Sequence, residues 1–442
     1  MTSTASPIIS QDQALSLLEQ VIQQSQAEGV FVSITAEDSA LSRFSENQII
    51  QNLNRTQVKV TITSYYGRQS ASASTTELDP TAITETLNQS QTLAQVAPED
   101  PEWVGLLPPQ DYESRSPAYD EATANFSPLQ RGEIVQQVSE KSQQHGVNAS
   151  GTLSSRVRLQ AVGNSEGLRA CETGTSANFS LTARVDTGSS WHQRSGHSME
   201  SLPINDITEN VIQRAIASQN PREIQPGRYP VIFDAAAFAD LLPWVVWNLD
   251  ARAADEGRSF MASPEGGNRL GEELFSPMVE VWREASHPLL QLGTFFGDGL
   301  PNTRLPLIRQ GKVENLGYSR YWAQQKETSP TGPFYPIVMS GSQKPLANLI
   351  AETERGIFVS RAWYVRYVNP RTLEVTGMTR DGTFWIENGE LAYPIKNLRF
   401  NQNLPEMLNQ IDRLSQVQRF GGTVVPGVRV KEFNFSSITD SI

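Results

Sequence analysis

The chain has 442 residues, of which 38% are hydrophobic and 19% charged, with a net charge of −12 and a single cysteine. That composition excludes a disordered chain, and the length predicts two or three domains. The negative charge argues against non-specific nucleic-acid binding, one cysteine rules out an internal disulfide or a Cys-rich zinc module, and no apolar run is long enough to cross a membrane as a helix.

The first stretch, MTSTASPIISQDQALSLLEQ, lacks a basic segment followed by a continuous apolar one, so a cytoplasmic protein is expected. Ser10 is placed to cap a helix in which Ala14, Leu17, Leu18, Val21 and Ile22 recur at helical spacing, with Gly29 as its stop. GVFVSITAED then alternates as a strand does. The following residues to Ser74 predict two or three strands, with a hairpin turn at Tyr66-Gly67-Arg68. A helix over about Asp79 to Ala97 closes this first unit. APEDPEWVGLLPPQDYESRSPAYDE, rich in Pro and acidic residues, reads as a connector.

The plan then repeats. SPLQRGEIVQQVSEKSQQHGV predicts a helix stopped at Gly146, and RVRLQAVGNSEGLRACETGTSANFSLTARVDTG predicts a meander. Residues 1–110 and 111–222 are therefore read as two related α+β units of one helix-plus-meander layer. Beyond QNPREIQPGRYPVIFD, residues 223–442 carry mostly short strands with Gly and Pro turns and predict a β-rich C-terminal domain. Within it, helices are expected at about 235–254 and around Leu346–Arg355. The fold class is α+β.

Several separated phrases, in order, resemble the TldD/PmbA family, known as modulators of DNA gyrase and as two-subunit metalloproteases. They are the GRQSASAS stretch of the opening meander, the turn Asn164-Ser165-Glu166-Gly167, the segment GLPNTRLPLIRQGKVENLGYSRYWAQQ, and above all TGMTRDGTFWIENGELAYPIKNLRFNQNLPEM. The resemblance covers nearly the whole chain. It implies a zinc site of H-E-x-x-x-H plus a later Cys in TldD-type members, whose imidazoles ligate the metal and whose Glu takes a proton from water. PmbA-type (TldE) members lack the motif.

Placed on this sequence, the motif falls in DLLPWVVWNLDARAADEGRSF, with Pro243 and Trp244 where His and Glu would stand and Asn248 at the second His. Cys171 lies far upstream in the second meander. No catalytic, metal or cofactor residue is therefore expected in this chain. The resemblance implies the non-zinc-binding subunit of a protease acting on unfolded peptides, with zinc in a TldD-type paralogue as heterodimer partner. The alternative is a stand-alone homodimeric peptide-binding or scaffold protein without protease activity.

His192 and His197, with Glu200 nearby, have no Glu directly after the first His, and Ser195-Gly196 suggests a turn, so a polar strand–turn–strand outweighs a metal site. Ser340 in MSGSQ only partly matches G-x-S-x-G and lacks the strand-to-helix elbow. Cys171 reads as a small buried residue. Trp244, Trp247, Trp363 and Trp385 suit core or interface packing as well as a peptide belt, with one of Trp244 and Trp247 packed inside. In Thr379-Arg380-Asp381-Gly382 the Asp-Gly pair signals a tight turn. Arg380 and Asp381 are candidate cavity or substrate residues because they sit in the strongest part of the resemblance.

Overall fold

The computed structural model describes residues 9–439; most of the N-terminal leader discussed above lies outside them. The first unit is α1 (Gln11–Gln24), β1 (Gly29–Ser45), β2 (Gln48–Tyr66), β3 (Gln69–Thr75) and α2 (Pro80–Val96). A short α3 (Glu121–Ala124) precedes the second unit: α4 (Pro128–Gln144), β4 (Asn148–Asn164), β5 (Arg169–Val185), β6 (Gly188–Gly196) and α5 (Ile204–Ala217). The two helix–meander–helix units share one six-stranded antiparallel sheet in the order β3-β2-β1-β4-β5-β6, joined through β1 and β4.

Local chemistry explains these boundaries. Ser10 and Ser127 each form a capping box with a Gln three residues on, and Asp79 caps α2 ahead of Pro80. Gly67, at φ 57°, opens the two-residue turn between β2 and β3. α1 ends earlier than the expected stop at Gly29, because Ser25 already turns the backbone to an extended conformation and Gly29 begins β1.

The helices cover one face of the sheet. Leu18 and Val21 of α1, with Ile83 and Leu87 of α2, pack on Val32, Ile34, Val60 and Ile62. Val135 and Val138 of α4, with Val211 and Ile212 of α5, pack on Leu153, Phe179 and Leu181. Each fully buried aliphatic or aromatic side chain contributes about 1.5–3 kcal/mol.

The C-terminal part opens with β7 (Gly227–Phe233), then α6 (Ala235–Ala239), α7 (Leu242–Trp247) and α8 (Ala251–Asp255). Short pieces follow: β8 (Val281–Arg283), β9 (Leu305–Arg309), β10 (Lys312–Val313), α9 (Arg320–Gln325), β11 (Ile337–Met339) and α10 (Leu346–Ala351). The long strands come last: β12 (Arg355–Asn369), β13 (Glu374–Glu387), β14 (Glu390–Pro394), β15 (Leu398–Asn403), then α11 (Leu404–Asn409), β16 (Ile411–Phe420) and β17 (Thr423–Ile438). They form an eleven-stranded sheet in which β7 pairs with both β12 and β17. That double pairing closes β17-β15-β13-β12-β7 into a ring and removes its free edges. Phe433 sits in its core, with ring centroids 5.0 Å from Phe233 and 5.2 Å from Phe400.

Two expectations are corrected here. The single helix over 235–254 is three short ones, because Pro243 has no N–H to continue α6 and Asp250 caps a new start at α8. The helix around Leu346–Arg355 stops at Ala351, and Arg355 already opens β12. Among the described residues no helix is long and apolar enough to cross a membrane.

Candidate functional site

α7 carries the residues on which the sequence resemblance places the zinc motif, and their side chains are otherwise engaged. Pro243 is buried and has no donor atom to offer a metal. The Trp244 ring packs edge-on against Tyr367 at 4.7 Å, while Trp247 is 60% exposed, so of the pair only Trp244 packs inward. The Asn248 amide donates to the Trp244 carbonyl at 2.7 Å and to the Tyr367 hydroxyl at 2.8 Å. Cys171 lies on β5 in the other sheet, half-buried against the first core. Burial, with Glu172 and Asp12 nearby, pushes its thiol up to about 11, which disfavours the thiolate a metal needs. Among the described residues no three His, Cys, Asp or Glu come together as a metal-binding group. These residues do not fit zinc.

The other candidates are dispersed. His192 lies on β6, and His197 follows its end, its carbonyl accepting from the Thr175 hydroxyl. Ser340 continues from β11 as extended chain, its N–H donating to the Glu280 carbonyl. Trp385 is buried in the C-terminal core and Trp363 is partly exposed.

Arg380 and Asp381 do come together with other groups, although no tight turn lies there. They sit within β13, where Val359 pairs with Thr383 and Arg361 with Arg380, so Asp381 and Gly382 together face Ser360. This is a β-bulge, and its extra residue puts Asp381 at φ 55° and Gly382 at φ 107°. The bulge aims the Asp381 carboxylate inward, 1% exposed, where it accepts from Arg361 Nη1 at 2.8 Å. Arg380 Nε stands 3.8 Å from the same oxygen.

Arg361 is clamped between two indoles, 4.0 Å from the Trp191 ring and 4.3 Å from the Trp363 ring. Trp191 belongs to β6, the edge of the N-terminal sheet, so this clamp joins the two halves of the chain. Beside it Arg214 of α5 reaches Asp234 at 3.2 Å and Ser360 at 3.5 Å. Arg194 lies over the Phe420 ring and donates to Gln418. Chemically, the junction offers guanidinium donors and aromatic faces suited to carbonyl or carboxylate groups. Trp191, Arg214, Asp234 and Arg361 carry no local motif, so sequence reasoning passed over them.

His192 faces this junction, its ring edge-on to Phe420 at 5.9 Å. Burial and the positive charges of Arg194 and Arg214, only partly opposed by Asp234, push it down to about 3. A folded-state value below the ordinary 6.5 means that its contribution to stability is complete above pH 6.5 and lost as pH falls towards 3. His192→Gln is therefore expected to lose roughly 2 kcal/mol less stability than wild type between pH 7.5 and pH 5. Urea midpoints at the two pH values test this; parallel losses in the two proteins would refute it.

A helix-backed antiparallel sheet whose edge docks on a ring-closed β domain is an architecture shared with solved structures. TldE from Thermococcus kodakarensis matches with a TM-score of 0.85 at 18% identity, covering 96% of this chain and 99% of that one. A putative modulator of DNA gyrase from Bacteroides thetaiotaomicron matches at 0.86 and 18% identity, covering 98% and 100%. In sequence, residues 115–219 match the PmbA/TldA metallopeptidase central domain and residues 226–437 the corresponding C-terminal domain. The metalloprotease PmbA of Escherichia coli O157:H7 is 22% identical over 425 residues, 91% of each chain. A PmbA homologue of Haemophilus influenzae is 23% identical over 401 residues, 84% of each. The chain belongs to the PmbA/TldD family.

Proposed function

We propose that this chain is the non-zinc-binding subunit of a cytoplasmic two-subunit metallopeptidase that acts on unfolded peptides. What supports the reading is α7, where the resemblance places the family's motif: Pro243 is buried, Trp244 is packed and the amide of Asn248 is committed to other partners. Zinc then belongs to a TldD-type paralogue, and this chain supplies cavity walls and the guanidinium-rich junction around Arg361 and Asp381. The exposed aromatic surface of Trp247, Tyr364 and Tyr367 beside α7 is of the kind that protein interfaces enrich.

The test is zinc content and casein cleavage for this chain alone, the paralogue alone, and the two mixed. Cleavage and a stable complex only on mixing are expected. Stoichiometric zinc with cleavage by this chain alone would overturn the reading. A homodimer that binds peptide but neither cleaves it nor pairs with the paralogue would replace it with a scaffold role.

The triple substitution Pro243→His, Trp244→Glu and Asn248→His is expected to create no activity. No thiolate or further ligand stands ready, and the hydrogen bonds that would orient the new imidazoles are missing. Zinc-dependent peptide cleavage by that variant alone would contradict the placement of the motif on α7.

A further inference from the structure

A cleft of about 480 Å³ lies between the open face of the N-terminal sheet and the C-terminal domain, away from α7. That volume is within the range of ligand sites, about 300–1,000 Å³. Its walls differ in chemistry. The side of the N-terminal sheet carries Arg158 of β4, and the side of the C-terminal domain carries Arg419 of β16, Phe296 and Tyr335.

Neither guanidinium is in an ion pair among the described residues, although Glu172 is near enough to Arg158 to feel its charge. Arg419 is 8% exposed, with Nε on the Gly421 carbonyl at 2.9 Å and Nη1 on that of Leu289 at 2.7 Å. Its Nη2 makes no hydrogen bond to the described residues. Glu172, the carboxylate in the cleft, is already engaged by the Thr294 N–H at 2.8 Å and hydroxyl at 3.0 Å. Asn302, 7% exposed, donates through Nδ2 to the Gly293 carbonyl at 3.2 Å, and its Oδ1 has no partner. A buried acceptor without a partner is unfavourable, so a ligand that brings an N–H to Asn302 would relieve it.

We infer that this cleft binds a peptide carboxylate next to an apolar residue: the carboxylate on Arg158 and Arg419, a main-chain N–H on Asn302, and the apolar side chain against Phe296 and Tyr335. Glu172, close enough to interact electrostatically with Arg158, disfavours a dianion and so selects a carboxylate over a phosphate. The inference goes beyond the subunit reading. It concerns equilibrium binding to this chain alone, with no zinc-bearing partner required.

The experiment is fluorescence anisotropy of the full chain with labelled unstructured peptides. One ends in an apolar residue with a free carboxylate, one is its C-terminal amide, and one is amidated but carries an internal Asp beside an apolar residue. The free-carboxylate or the Asp peptide is expected to bind more tightly than the uncharged amide by about tenfold or more, the scale of a charge-assisted hydrogen bond. Which of the two binds identifies the source of the carboxylate. Binding should weaken with salt, fall several-fold in Arg158→Gln and be largely kept in Arg158→Lys, with unfolding temperatures unchanged because Arg158 is exposed. Equal affinity for charged and amidated peptides, no binding up to about millimolar peptide, unchanged affinity in Arg158→Gln, or displacement by inorganic phosphate at lower concentration than by acetate would overturn it.

Discussion

Asp381→Ala is expected to destabilise the protein by about 3–5 kcal/mol, the cost of removing one member of a buried ion pair. Arg361 then keeps a guanidinium whose side chain is 16% exposed, and it cannot swing to water because Trp191 and Trp363 hold both of its faces. Arg361 Nε already lacks a partner, so the loss of Asp381 leaves that end of the side chain with little compensation. Alanine also tolerates the φ of 55° at this position less well than Asp or Asn does. Asp381→Asn keeps an acceptor and the backbone tolerance, and is expected to cost less, about 1–3 kcal/mol. Denaturant unfolding followed by tryptophan fluorescence measures both losses. An alanine variant within about 0.5 kcal/mol of wild type, the scale of an ordinary surface substitution, would show that the pair contributes nothing at the junction.

The same residues show where sequence reading holds and where it stops. Gly67 and the pair Asp381-Gly382 give the same local signal, a demand for left-handed backbone. At Gly67 it marks a hairpin turn, and at Asp381 a bulge in a continuing strand. The dihedral demand is local. Whether the chain reverses is decided by β12 and β15 pairing on either side of β13, and that information lies elsewhere in the chain.

The cap at Ser10 was legible because a cap involves residues three apart. The breaks in the helix expected over 235–254 were not, since apolar residues on every side of a buried segment mask the period. Pro243 was the visible clue to the break. For the junction, Arg380 and Asp381 were singled out from the sequence, although as a turn. The Trp191–Arg361–Trp363 clamp could not be, because 170 positions separate its first two members and no spacing rule connects them.

Arg131 presents the complementary case, a buried cation with no carboxylate. It is fully buried on α4 and donates to the Phe126 carbonyl at 2.9 Å, Ser42 Oγ at 3.3 Å, and the Oδ1 atoms of Asn52 at 3.2 Å and Asn54 at 2.8 Å. It therefore ties the second unit's first long helix to the β1–β2 hairpin of the first unit. Two terms oppose each other here. Burial disfavours the charge and pushes the guanidinium's pKa down, while four oxygen acceptors and close packing favour the side chain.

Arg131→Ala removes the favourable terms and leaves a cavity with the Phe126 carbonyl deprived of its donor, so a loss of about 3–5 kcal/mol is expected. Arg131→Met keeps most of the volume and relieves the desolvation, so its loss is expected to stay below about 1.5 kcal/mol. The contrast between the two variants, measured by the same denaturant titration, separates packing from hydrogen bonding. If methionine were as damaging as alanine, the amide and hydroxyl cage, and not the filled space, would hold the two units together.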